Sequence, residues 1–222
     1  MRPNSYLLQL FLTLFLLLGL SKPDPDPLQD YCVADTKTPK LPLFLNGVPC
    51  IDPKQASSSH FATSALSKPG NTSANMFGFS VTLTTTINLP GLNTMGLTLA
   101  RIDIAADGIV PPHWHPRASE VTTCLQGALL VGFVDNLDRL FTQQLRAGES
   151  FVFPKGLIHF LSNLDSSKPA LAVSGFNSQN PGGQIASVVS FTSKPAIPDE
   201  ILKKAFKING QDVTKMRRNL GG

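Results

Sequence analysis

His113 and His115 stand one residue apart behind two prolines in PPHWHPRASEVTTCLQG, Glu120 follows in the same stretch, and His159 lies in GESFVFPKGLIHFLSN. Three neutral imidazoles and one carboxylate make an N3O donor set, suited to a divalent transition ion that keeps coordination positions open for water or substrate. A structural zinc site would fill four tetrahedral positions, often with thiolates. The spare thiol here is Cys124. By affinity alone the set fits manganese, iron, zinc, nickel or copper. A lone HxH pair most often binds nothing. The conjunction of three of the four histidines with Glu120 and well-placed glycines is what points to a metal.

Such side chains meet only if strands bring them to one interior. Residues two apart on a strand point the same way, with Cα atoms about 6.5 to 7 Å apart, so His113 and His115 can share a target. Glu120 has the opposite parity, but Pro116 and Arg117 break the run, and Glu120 is expected to open the next strand on the same inner face, followed inward by Thr122 and Cys124. His159 follows a Pro-Lys-Gly turn at the start of another inward-facing strand.

From Asn75 onward, short alternating apolar runs are broken by Gly, Pro, Asn and Asp. The expected strands are Thr94 to Ile104, Glu120 to Gln126, Leu129 to Val134, Arg139 to Leu145, Ser150 to Phe153, Phe160 to Asn163, Ala170 to Phe176 and Ala186 to Phe191. Short links and no helical period among them predict an all-β domain, a sandwich or jelly-roll barrel. After Pro195 and Pro198 the tail changes character. Ile201, Leu202, Ala205 and Phe206, then Val213, Met216 and Leu220, recur at helical spacing. Two such small helices must dock on their own barrel or on a neighbouring subunit.

Met1 to Ser21 carries Arg2 followed by a leucine-rich run, too short for the roughly 20 apolar residues of a membrane span, and reads as a cleaved signal peptide. Its removal lowers the net charge from +4 to +3, because Arg2 is the one charged residue within it. The basic residues near the end, Lys203, Lys204, Lys215, Arg217 and Arg218, lack interleaved aromatics or a nucleic-acid motif. Nucleic acid is therefore excluded as a partner; an acidic cell-wall polysaccharide is the better electrostatic match, and a merely solvated helix face ranks above both. Of the three cysteines, Cys32 and Cys50 flank a loop with little periodicity of its own and are paired as a disulfide, leaving Cys124 reduced and inward. One sequon, Asn71-Thr72-Ser73, offers a glycosylation site. The expected organisation is signal peptide 1–21, disulfide-bearing extension 22–74, barrel 75–192 and helical extension 193–222.

At these residues the chain resembles a germin-like protein of the cupin superfamily. Gly108, His113, Trp114, His115, Glu120 and Gly127 match the first cupin box; Gly148, Pro154, Gly156, His159 and Asn163 match the second. The likeness extends through DPLQDYCVAD, NGVPC, FNSQNPG and PDEILKKAF, essentially the whole mature chain. It implies a cupin jelly roll holding manganese through His113, His115, Glu120 and His159, the Cys32 to Cys50 disulfide, secretion to the plant apoplast, and a hexamer built as a trimer of dimers whose tails clasp neighbours.

In the germins that oxidise oxalate, two asparagines and a glutamine hold the substrate. Here Ala100, Val110 and Leu161 stand at those positions. The resemblance therefore implies no oxalate oxidase activity; it is compatible with superoxide dismutation, Val110 and Leu161 being expected to narrow the mouth of the site. The competing reading is a non-catalytic wall-associated binding or storage protein in which the metal is structural. A hydrolase, isomerase or dioxygenase ranks last, because no second acid or base is evident.

Overall fold

The computed structural model describes Gln9, residues 29–37 and residues 47–221. The expected signal peptide, Gln9 apart, lies outside the described residues. Among the described residues, ten strands form the body: β1 (Phe79–Leu83), β2 (Thr98–Ile104), β3 (Ile109–Trp114), β4 (Glu120–Gln126), β5 (Ala128–Val134), β6 (Leu140–Arg146), β7 (Ser150–Phe153), β8 (His159–Asn163), β9 (Ala170–Phe176) and β10 (Gln184–Ile185). They divide into two five-stranded sheets, ordered β1-β2-β9-β4-β7 and β10-β3-β8-β5-β6, with antiparallel pairing throughout. The inward residues of both sheets, among them Ile102, Ile104, Leu129, Val131, Phe153, Leu161 and Phe176, interdigitate as one core. This is the jelly roll that the alternation predicts.

Periodicity alone misses three strands, the two-residue β10 among them. β1 is an edge strand whose partner β2 lies beyond a turn, and β3 contains Pro111 and Pro112. Prolines give no N–H to a ladder. β3 tolerates them because its register with β8 shifts between Val110 and His113, and its other side meets only the two-residue β10.

The expectation of a strand over Ala186 to Phe191 is corrected: those residues form a helix, α1. A short apolar run with two valines carries no period that separates strand from buried helix. Its neighbours decide it. Phe191 packs with Leu202 of α2 (Asp199–Phe206) and Val213 of α3 (Gly210–Asn219) in a second small core, joined by Ile197, Ile208 and Leu220. The tail helices thus bury one face against α1, while Ile201 stays 56% and Met216 36% exposed. No helix among the described residues is long and apolar enough to cross a membrane.

The N-terminal segment is stapled by the Cys32–Cys50 disulfide. Asn93, wholly buried, sets its place: its amide nitrogen donates to the Val48 carbonyl (2.7 Å) and its oxygen accepts the Val48 N–H (3.1 Å). Ala34 adds a hydrogen bond from its N–H to the Pro90 carbonyl.

Candidate metal centre

The antiparallel pairing of β3 with β8 sets His113 directly opposite His159. His115 lies just past the end of β3, and Glu120 opens β4 in the other sheet, beside Phe153 of β7 and Phe176 of β9. The turn before β8 needs Gly156, whose φ of +77° is costly for any residue with a Cβ. Its N–H bonds the His115 carbonyl and so ties the two histidine segments together. One potential ligand atom from each of His113, His115, Glu120 and His159 falls within 4.8 Å of the others.

Backbone carbonyls fix the imidazole tautomers. Nδ1 of His113 lies 2.9 Å from the Pro111 oxygen, Nδ1 of His159 lies 2.8 Å from the Leu157 oxygen, and Nδ1 of His115 contacts the Gly182 oxygen. A carbonyl can only accept, so each Nδ1 carries a proton, and in the neutral ring the Nε2 lone pair is left for an ion. Two of those lone pairs face Glu120 Oε2, at 3.1 Å from His115 and 3.2 Å from His159. The His115 Nε2 is buried without a hydrogen bond. Acceptors facing acceptors in a buried cluster call for a cation. Ligand atoms about 2.1 Å from an ion and at right angles to each other lie about 3 Å apart, which is the spacing of Glu120 Oε2 from the His115 and His159 nitrogens. The donor set and its geometry fit a divalent transition metal.

Electrostatics keep the donors ready. Burial, reinforced by His159, pushes His113 down to about 3, so its ring is neutral. Burial alone would raise the Glu120 carboxyl; the hydrogen bonds and charge that His115 and His159 offer Oε2 whenever Nε2 carries a proton, at the place a cation would take, outweigh it and hold the group well below the usual carboxylate range. The Thr122 hydroxyl donates to Glu120 Oε1 (2.8 Å) and lies 2.7 Å from the Ser174 hydroxyl, which must therefore donate to Thr122. Phe153 stacks on the His159 ring at 4.4 Å between centroids, and Phe176 meets His115 edge-on at 4.8 Å.

A loop over residues 177–183 closes one side. Arg117 donates from Nε to the Asn180 carbonyl (2.6 Å) and from Nη2 to Asn180 Oδ1 (2.8 Å), and its N–H bonds the Pro181 carbonyl. Gly182 has φ +65°, and a Cβ there would stand 2.7 Å from Arg117 Nη2. The loop thereby presents the Gly182 oxygen to His115. Trp114, the one tryptophan of the chain, sits half-buried between His113 and His115.

The other expected residues fall in different places. Cys124 is buried and free, its thiol pushed up by burial and facing the Gln126 and Gly127 carbonyls at 3.7 Å, outside the cluster. Asn71 is exposed and caps a short 3-10 helix, accepting the Ser73 N–H. Ala100 is buried in the core on β2. Val110 and Leu161, partners across β3 and β8, do not narrow a mouth: at 4% and 1% exposure they line the wall of a cavity whose exposed border includes Val81 and Leu83. Sequence reasoning places Thr122 inward but misses Ser174 and the Gly182 carbonyl. The one signal for the latter is the turn-rich FNSQNPG, which ends in Gly182.

Residues 64–214 match the family model described as Cupin. The chain is 62% identical over 216 residues to germin-like protein subfamily 1 member 1 of Arabidopsis thaliana, covering 97% of this chain and 100% of that one. It is 52% identical to germin-like protein 3-1 of Oryza sativa subsp. japonica, covering 96% of each. Among solved structures, an oxalate oxidase in complex with the substrate analogue glycolate superposes with a TM-score of 0.84 at 39% identity, over 90% of this chain and 99% of that one. With a cupin barrel, a clustered donor set of three histidines and one glutamate, and identity of this extent, the chain belongs to the germin-like proteins of the cupin family.

Proposed function

We propose that the protein is a secreted manganese protein of the plant apoplast that disproportionates superoxide, supplying hydrogen peroxide for defence or wall modification, and that it does not oxidise oxalate. His113, His115 and His159 through Nε2, with Glu120 through its carboxylate, hold the ion. When bound, manganese supplies a centre that alternates between two oxidation states, so that two superoxide ions and two protons yield dioxygen and hydrogen peroxide. The chain's own part is to keep the His113 ring neutral and all three imidazoles oriented, to hold Glu120 ionised, and to keep bulk water away with Phe153 and Phe176.

The observation that carries the reading is the conjunction of an intact donor cluster with an apolar surround. The solved neighbour binds glycolate as a substrate analogue of oxalate. Here Ala100, Val110 and Leu161 offer no hydrogen bond where the resemblance puts carboxamides. Each bond to a charged group is worth about 1.5 to 3 kcal/mol, so an oxalate transition state would lose several kcal/mol. The exposed side chains of α2 and α3 support assembly into a homohexamer.

The test is metal analysis of protein secreted from a plant host, followed by a dismutase assay. About one manganese per subunit, lost in His113→Ala and His159→Ala, with a dismutase rate above that of free manganese, is expected. Stoichiometric metal without turnover would favour the storage reading, and zinc or no metal would sink the redox reading.

A further inference from the structure

The metal cluster forms only one pole of a larger space. Beyond it, the barrel keeps a cavity of about 350 Å³, bordered by the β1 edge and residues 179–185. On the same measure one water molecule needs about 10 to 15 Å³, and a diatomic anion little more, so the space is many times what superoxide requires and enters the size range of small-molecule sites.

Its chemistry is one-sided. Ile102, Val110, Leu161 and Phe176 form the deep wall, each at most 5% exposed, with Val81 and Leu83 nearer the solvent. Apart from the exposed Gln184 and the amide nitrogen of Asn180 at the rim, the polar side chains on the border are already engaged. The Thr84 hydroxyl bonds the Leu99 backbone, the Thr98 hydroxyl donates to the Leu97 carbonyl, and Asn180 Oδ1 accepts from Arg117. A second charged head group would therefore lie against hydrocarbon, at a desolvation cost. Charge points the same way. A divalent ion with three neutral imidazoles and the Glu120 carboxylate carries one net positive charge, which a monoanion neutralises and a dianion overshoots.

We propose that this cavity binds small organic monoanions with an apolar body, namely aryl or branched-chain monocarboxylates, with the carboxylate at the histidine pole and the body against Val110, Leu161 and Phe176. The proposal rests on the metal-centre reading above and extends it to a class of ligand that displaces water from the cavity and competes with the smaller anion.

The experiment uses the full mature protein loaded with manganese, its metal content measured first, and titrates benzoate, acetate and oxalate by calorimetry, with the fluorine relaxation of 4-fluorobenzoate as a second readout of proximity to the paramagnetic ion. Benzoate is expected to bind at least about tenfold more tightly than acetate or oxalate, because its ring buries apolar area that neither competitor has. V110N/L161Q should lower benzoate affinity and raise oxalate affinity, each by about tenfold or more. Should that double variant misfold, Val110→Thr, which keeps the volume, must still weaken benzoate. Stoichiometric manganese with benzoate binding no better than acetate would overturn this proposal alone, as would a benzoate-to-oxalate ratio indifferent to the wall substitutions. Failure to take up manganese would overturn it together with the metal-centre reading.

Discussion

Thr122 decides how Glu120 presents its charge. Its hydroxyl occupies Oε1, which leaves Oε2 turned toward His115 and His159. Partners of this kind commonly account for about 10- to 100-fold in metal affinity. Thr122→Val should weaken manganese binding at least about tenfold in a chelator competition while leaving the β-sheet circular dichroism intact; unchanged affinity would reduce Thr122 to core filler. His113 sets an acid limit. Its ring is pushed down to about 3 by burial, so below about 6.5 the unfolded chain binds a proton that the folded chain refuses. Stability of the metal-free protein is therefore full above about 6.5 and falls as pH drops toward 3, and Glu120, also depressed, adds in the same direction at lower pH. The melting temperature of metal-free protein should fall by several degrees between about pH 7 and pH 4, with a shallower slope in His113→Asn. A flat profile would show that the ring is not buried neutral. Metal should be released over the same descent, because protons compete for Nε2.

At the scale of elements, the site depends on a strand end, a strand start and a loop that are distant in the chain. The histidine spacing, the Pro116 break and the Pro-Lys-Gly turn are local signals, so His113, His115, Glu120 and His159 are legible as one group before any fold is known. Ser174 is not, because nothing within β9 announces that its hydroxyl meets Thr122, 52 residues away. The helix α1 is misread for a related reason: its two valines favour a strand locally, and the packing of Phe191 against the distant Leu202 and Val213 overrides that preference. The loop over residues 177–183 carries a prediction of its own. Arg117 is a positioning residue that acts through Asn180 and Gly182 on the His115 ring. Arg117→Ala should weaken manganese affinity about tenfold while shifting the metal-free melting temperature little, and Arg117→Lys should fail to rescue it, since an ammonium cannot make the paired contact with Asn180. Rescue by lysine would show that only the charge matters.

At the scale of the whole molecule, the described residues form two cores with different duties. The barrel core positions the donors, while the small helical core leaves Ile201 and Met216 facing outward, more apolar surface than a short tail needs on its own. If that face clasps neighbouring subunits, I201D/M216D should convert a hexamer into smaller species by light scattering while retaining the barrel's circular dichroism. An unchanged mass would place the assembly contacts elsewhere. Trp114 has an optical consequence. Because it is the one tryptophan and adjoins His113 and His115 in sequence, on the opposite face of β3, indole emission from the entire protein originates one strand away from the proposed ion site. Quenching by a paramagnetic ion, and any recovery when a cavity ligand enters, would be read without a label from a single fluorophore supplied by the chain itself.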